Sequence, residues 1–117
     1  MFIIELAVKD YLTQKQTTPA FMEVPETPPG TYIVVEKEGS STENHVHTDS
    51  VTVLSHAPSL YEAMTLNQSL KPIMEGMVEL PNVSRVELET DYQYTDPRNK
   101  TYRYKADYYI TYMEEST

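Results

Sequence analysis

Two runs near the C-terminus alternate between apolar and polar residues, and this alternation limits the possible fold more than any other feature. The stretch from 92 to 112 also holds most of the chain's ten tyrosines. Successive side chains of a β-strand point to opposite faces. One face of the last strand therefore carries the apolar set Tyr102, Tyr104, Ala106, Tyr108, Ile110 and Tyr112, and its other face carries Arg103, Lys105, Asp107, Tyr109 and Thr111.

The preceding run, residues 85–94, alternates in the same way and predicts a C-terminal β-hairpin. Its connection "TDPRNKT" contains an Asp-Pro turn signal. If Tyr94 faces Tyr102, the apolar faces of the two strands coincide, and a slip of one residue would destroy the match. This register predicts the further pairs Tyr92–Tyr104, Leu88–Tyr108, Val86–Ile110 and Asp91–Lys105.

The remaining elements predict an α+β domain of one unit, residues 1–117, with an antiparallel sheet of four to five strands and two helices on one face. Apolar residues at helical spacing predict a helix over 2–15. Ser59 and Glu62 form a capping box that opens a second helix, 59–77, in which Pro72 predicts a kink or break. β-Branched residues predict strands at 31–38 and 50–57, a short strand is expected at 20–24, and polar residues 39–49 predict a long mobile loop.

Composition narrows the function classes. The chain has no cysteine, which excludes disulfides and thiolate chemistry, and its net charge of −9 makes it a poor general binder of phosphate backbones. The apolar N-terminus is interrupted by charged residues and does not read as a signal peptide, and no run reaches the length of a membrane span. We therefore expect a soluble, intracellular protein without membrane association or specific nucleic-acid binding.

The motif "NHVHTD" is the one candidate for metal chemistry. His45, His47 and Asp49 stand at alternate positions, so an extended chain would point them the same way, and three such ligands can hold zinc. The signal is weak because no third histidine stands at a suitable spacing, and a polar surface segment is the default interpretation. No phosphate-binding loop or serine-hydrolase elbow is present in the sequence. We expect no catalytic residues, no metal and no cofactor.

The order of elements and several local strings resemble the tail completion proteins, or tail terminators, of long-tailed phages and Gram-positive prophages. The strings are "IELAVKDYL", "VPETPPGTYIVVEKEGSSTENH", "APSLYEAMTLN" and "DYQYTDPRNKTYRYKADYYITY". The resemblance implies a structural subunit in the virion, present in the host cytoplasm during assembly, that forms a ring of typically six copies. Such a ring caps the tail tube, meets the head connector and lets DNA pass. It implies no turnover and no cofactor.

Ring contacts of this kind are heterologous, so opposite flanks of one subunit must match each other. Two segments are candidates for these contacts, the loop after residue 38 and the turn end of the tyrosine hairpin. Two alternatives stay open: another head–tail connector or head-closure adaptor, and a small metal-dependent enzyme using His45, His47 and Asp49. The candidate interface residues are Ser40, Ser41, Glu43, Asn44, His45, His47, Tyr94, Tyr102 and Tyr109.

Overall fold

A computed structural model describes residues 1–96, 98 and 101–113. Along the chain the elements are α1 (Ile4–Lys15), β1 (Ala20–Phe21), β2 (Tyr32–Glu43), β3 (Val46–Ala57), α2 (Leu60–Glu75), a 3₁₀ turn (Gly76–Glu79), β4 (Val83–Gln93) and β5 (Tyr102–Met113). The five strands form one sheet in the order β1-β2-β3-β5-β4. The predicted α+β class is confirmed. Only β1 departs from the antiparallel pattern, because it pairs parallel with β2 and makes the sheet mixed.

The core lies between one face of the sheet and the two helices, as predicted. Helix α1 contributes Ile4, Val8, Tyr11 and Leu12, helix α2 contributes Leu66, Leu70 and Met74, and the sheet contributes alternate residues of β2, β3 and β5. These are the apolar positions that the periodicity of each segment marks, and burying them is the main favourable term in folding. We refer to this side of the sheet as the helix face and to the other as the open face.

Helix α2 begins as its sequence predicts and passes through its proline unbroken. The Ser59 hydroxyl oxygen accepts a hydrogen bond from the Glu62 amide at 3.2 Å, which is the predicted cap. The predicted break at Pro72 is wrong, because the helix continues to Glu75. Pro72 lies in the last turn, where a missing amide costs a single bond to Gln68. Neither helix in the described part of the chain is long and apolar enough to span a membrane.

Residues 39–49 form a regular hairpin, so the predicted mobile loop is wrong. Strand β2 continues to Glu43 and β3 begins at Val46, which leaves a two-residue turn at Asn44 and His45. Both turn residues have positive φ, 52° and 66°, as a type I′ hairpin turn requires. The segment is ordered by long-range pairing, because β3 also pairs with β5 along its whole length. The strand predicted at 20–24 is likewise reduced to Ala20–Phe21, since Pro25 and the prolines beyond it deny the chain further pairing.

The C-terminal hairpin keeps the predicted register only in its inner half. Val86 faces Ile110 and Leu88 faces Tyr108, as predicted. Glu89 is then an extra residue, a β-bulge, which moves the rest of β4 by one position. The predicted pairs of Tyr92 with Tyr104, Tyr94 with Tyr102 and Asp91 with Lys105 are therefore wrong. Tyr92 faces Lys105 instead, and Asp91 faces Ala106.

Candidate functional site

The outer part of the β2–β3 hairpin is a polar projection, and we call residues 39–49 the distal arm. Every residue from Glu36 to His45 is exposed, although all but the two turn residues lie in a paired strand. In the described chain, no residue from 36 to 48 belongs to a hydrophobic cluster. The arm is thus held by backbone pairing and by its anchor at the base.

That anchor is a buried hydrogen bond between β3 and β5. The Tyr112 hydroxyl donates to Asp49 Oδ2 at 2.6 Å, and the Asp49 side chain is only 1% exposed. The His47 ring stacks on the Tyr112 ring with centroids 5.1 Å apart, and His47 Nδ1 lies 2.9 Å from the Thr42 hydroxyl. Because these contacts join β2, β3 and β5, they fix the direction of the arm relative to the sheet.

The structure separates the three residues considered for metal binding. His47 and Asp49 share one side of β3, as the alternation predicts, but His45 occupies the turn with a left-handed backbone. One Asp49 oxygen already accepts the Tyr112 hydroxyl. Within residues 1–96, 98 and 101–113, no three histidine, aspartate or glutamate side chains are close enough together to hold a metal ion.

A second surface lies on the open face at the turn end of the β4–β5 hairpin. It comprises Tyr92, Tyr94, Arg103 and Lys105, and we call it the tyrosine–cation patch. The Arg103 guanidinium lies 4.5 Å from the centroid of the Tyr94 ring, and the Lys105 ammonium lies 5.3 Å from the same centroid. The rings of Tyr92 and Tyr94 meet edge to face at 6.0 Å. These are favourable cation–π and aromatic geometries, which hold the four side chains together.

The positive charge of Lys105 is paired with a carboxylate of the same subunit. Its ammonium lies 2.8 Å from Glu38 Oε1, a residue that reaches the open face from an irregular position in β2. The hydrogen bond from Lys105 lowers the pKa of Glu38, and the same contact raises the pKa of Lys105. Tyr109 lies further along this face, where its hydrogen bond with Glu89 raises its own pKa. The patch is therefore bordered by carboxylates rather than by further cations.

The predicted interface residues fall into two separate groups. Ser40, Ser41, Glu43, Asn44, His45 and His47 all lie on the distal arm. Tyr94 is 44% exposed and belongs to the patch, whereas Tyr109, 40% exposed, lies on the same face away from it. Tyr102 is half-buried beside Ala57 on the other face. Strand β5 runs from Arg103 near the patch to Met113 near the arm, which separates the two surfaces by roughly 33 Å at 3.3 Å per residue.

Sequence reasoning missed that Arg103 and Lys105 share a face with Tyr92 and Tyr94. The bulge at Glu89 brings them together and turns Asp91 towards α2, where it lies 2.8 Å from both the Lys71 ammonium and the Asn67 side-chain nitrogen. The Lys71 contact lowers the pKa of Asp91. Asn67 and Lys71 stand four residues apart, on one side of α2, and a buried asparagine needs a polar partner. The need of Asn67 for a polar partner was the sequence signal that could have located Asp91 beside α2.

Near the start of β2, the open face carries a buried pair of stacked rings. His56 is 2% exposed and its ring stacks on Tyr32 with centroids 4.3 Å apart. Neither ring nitrogen has a hydrogen-bond partner among the described residues. Burial, with a smaller contribution from the Arg103 charge, lowers the pKa of His56 to about 4. This histidine is therefore neutral at physiological pH.

The two surfaces together offer hydroxyls, amides, a carboxylate, aromatic rings and a guanidinium. Such groups recognise a partner through hydrogen bonds, ion pairs and stacking, and tyrosine and arginine are enriched in protein interfaces. Comparison of the chain with models of known protein families gave no match, and comparison with curated protein sequences gave none either.

Proposed function

We propose that this protein is a structural subunit that terminates the tail tube of a long-tailed phage and joins it to the head connector as a ring of copies. The proposal rests on the resemblance of the four sequence strings and on the distribution of surfaces in the fold. Its partners are further copies of itself, the tail tube protein and the head-connector protein. DNA passes through the ring without specific recognition.

The observation that carries the proposal is the distal arm. A paired strand segment with all of its residues exposed from Glu36 to His45 contributes nothing to the core. Exposed strand edges are also a liability for a protein that works alone, because they can pair with other chains. A rigid polar arm is instead useful to a subunit that must contact neighbours in a fixed direction.

The position of the second surface suits a ring. The arm and the tyrosine–cation patch lie at opposite ends of the sheet and on different hairpins. A closed ring of identical subunits needs two different surfaces that match each other. A dimer with two-fold symmetry would need only one self-complementary surface, so the separation favours the ring.

The charge of the chain also suits a passage for DNA. The net charge is −9, and Lys105, Lys71 and Arg85 are each paired with a carboxylate. A channel lined by such a surface repels phosphate groups rather than binding them. The genome would therefore pass without being retained.

Electron microscopy of particles from a lysate in which the gene is interrupted tests the function. We expect filled heads and tails that remain separate, with tail tubes of irregular length because nothing stops their growth. Supplying the intact gene in trans should restore joined particles. Normal virions in the absence of the protein would overturn the proposal.

The same images distinguish tail termination from the alternative function, head closure. A head-closure adaptor would leave tails of uniform length, while heads would lose their DNA. Separate tails of irregular length together with filled heads support tail termination, and uniform tails together with emptied heads support head closure.

A further inference from the structure

Arg103 has an unusual electrostatic position. The chain has twice as many acidic as basic residues, 18 against 9, so a basic side chain readily finds a carboxylate. In the described residues, every basic side chain except Lys37 and Arg103 forms an ion pair. Lys37 is exposed on β2, where its side chain forms no ion pair among the described residues. Arg103, in contrast, is half-buried and held in place.

Two contacts fix the Arg103 guanidinium. Its Nε donates to the carbonyl oxygen of Tyr94, and its Cζ lies over the Tyr94 ring, 4.5 Å from the centroid. The remaining guanidinium nitrogens form a planar fork that matches a carboxylate in two parallel hydrogen bonds. An arginine immobilised in this way loses little entropy when it binds an anion. Tyr92 and Tyr94 supply two exposed rings beside it.

The distal arm carries the complementary groups. Glu43 closes the hairpin at its tip, is exposed and takes part in no ion pair among the described residues. The Ser41 hydroxyl and the Asn44 amide flank it in the sequence and can bind tyrosine hydroxyls. The two-residue turn at Asn44 and His45 and the base anchor at Asp49 fix the position of the tip relative to the sheet.

We propose that the distal arm of one copy docks on the tyrosine–cation patch of the next, with the Glu43 carboxylate on the Arg103 guanidinium. This contact rests on the proposed function, because it is the head-to-tail contact that the ring requires. Intramolecular docking is excluded by the separation of roughly 33 Å along β5. Because the arm carries the complementary carboxylate and cannot reach the patch of its own subunit, a second copy of this chain is the occupant that the two surfaces fit.

Cysteine cross-linking tests the contact, because the chain has no cysteine of its own. Ser41→Cys places a thiol two residues before Glu43 and keeps its carboxylate, and Thr101→Cys places one two residues before Arg103 without removing the guanidinium or a ring. When the two single variants are mixed under mild oxidation, we expect the mixed dimer to exceed either homodimer several-fold. Equal amounts of all three dimers, or no disulfide-linked dimer, would overturn the proposal. Disulfide formation traps even a contact that is weak in the free subunit.

Charge variants show whether the ion pair directs this reaction. Adding Arg103→Glu to the Thr101→Cys chain should lower the mixed dimer with the Ser41→Cys chain several-fold, because the second chain keeps Glu43. Arg85→Glu is the matched control, because Arg85 is exposed on the same face at its other end and makes the same change in net charge. Equal loss with both variants would overturn the proposed pair. Binding of a labelled single-stranded oligonucleotide that Arg103→Glu abolishes would assign the patch to nucleic acid instead.

The proposed contact and the proposed function can each be overturned without the other. A mixed dimer that forms as expected, together with normal virions in a lysate without the gene, would overturn the tail function and leave the contact. Separate heads and tails, with no mixed dimer, would overturn the contact and leave the function.

Discussion

The two long hairpins of the sheet have similar lengths but differ in how their outer halves are organised. In the β2–β3 hairpin, an extra residue at Glu38 shifts the register, but the residues of β2 beyond it are polar, so the shift brings no apolar side chain to either face. In the β4–β5 hairpin, the bulge at Glu89 exchanges the two faces halfway along. The first hairpin therefore projects a uniformly polar arm, whereas the second brings tyrosines and cations together on the open face.

This difference shows that the inner half of each hairpin is determined by the core and the outer half by local devices. Val35, Val51, Tyr108 and Ile110 are all buried against the helices, and their pairings follow from apolar alternation. Beyond the core, one extra residue shifts the register of each hairpin, at Glu38 and at Glu89, and a turn with two positive φ angles closes the first. Each device places a surface at one end of the molecule.

The largest expected effect contrasts two tyrosines on either side of the bulge. Tyr108 is 1% exposed in the core, so Tyr108→Ala should destabilise the protein by about 3–5 kcal/mol through loss of burial and a cavity. Tyr92→Ala, on the exposed side, should cost less than about 1 kcal/mol. Chemical denaturation of both variants measures the difference. Similar costs for the two would mean that the bulge does not separate a core from a surface.

The inner half of the β2–β3 hairpin should be sensitive to acid through His56. Its pKa in the folded protein, about 4, is below the ordinary value of 6.5, so the unfolded chain binds the proton more readily. Stability from this group is complete above about pH 6.5 and falls by on the order of 3 kcal/mol as pH falls to about 4.

The control is His56→Phe, which retains a ring beside Tyr32 and cannot titrate. Denaturation midpoints of both proteins should be compared at intervals from pH 7 to pH 4. The variant should lose the His56 contribution and keep that of the carboxylates. Parallel pH profiles for the two proteins would contradict the assignment.

Removing the bulge should have a smaller effect. Deletion of Glu89 would return Tyr92 and Tyr94 to the helix face and turn Asp91 away from Lys71 and Asn67. Loss of these charge-assisted bonds should cost about 2 kcal/mol, because each is partly exposed. Glu89→Ala keeps the residue count and should be nearly neutral. Equal free energies of unfolding for the Glu89 deletion and the Glu89→Ala variant would argue against the bulge.

The smallest effect should be a gain at the arm turn. His45 has a φ of 66°, which glycine adopts without the steric cost that a Cβ introduces. His45→Gly creates the preferred Asn-Gly turn and should stabilise the protein by up to about 1 kcal/mol. His45→Ala removes the imidazole but keeps the Cβ, so it should give no gain. Thermal unfolding of the two variants distinguishes these outcomes.

Much of the fold follows from sequence because periodicity, capping and apolar matching act locally. The helix cap at Ser59, the core position of Tyr108 and the pairs of Val86 and Leu88 were all predictable. The arm was not, because serines, threonines and an Asn-His turn carry a weak strand signal, and pairing with β5 supplies the order. The bulge was not predictable from alternation either, because alternation favours the register that pairs tyrosine with tyrosine. The bulge instead allows Asp91 to bond with Lys71 and Asn67. The patch depends on that bulge.

The central claim is that the distal arm is a formed surface in the free subunit, available to a neighbour before any assembly. Amide hydrogen exchange followed by mass spectrometry on the isolated protein tests this directly. We predict that peptides covering residues 40–48 exchange much more slowly than an unstructured chain, because β2, β3 and β5 are paired there. Exchange of these residues at the rate of an unstructured chain would contradict the account.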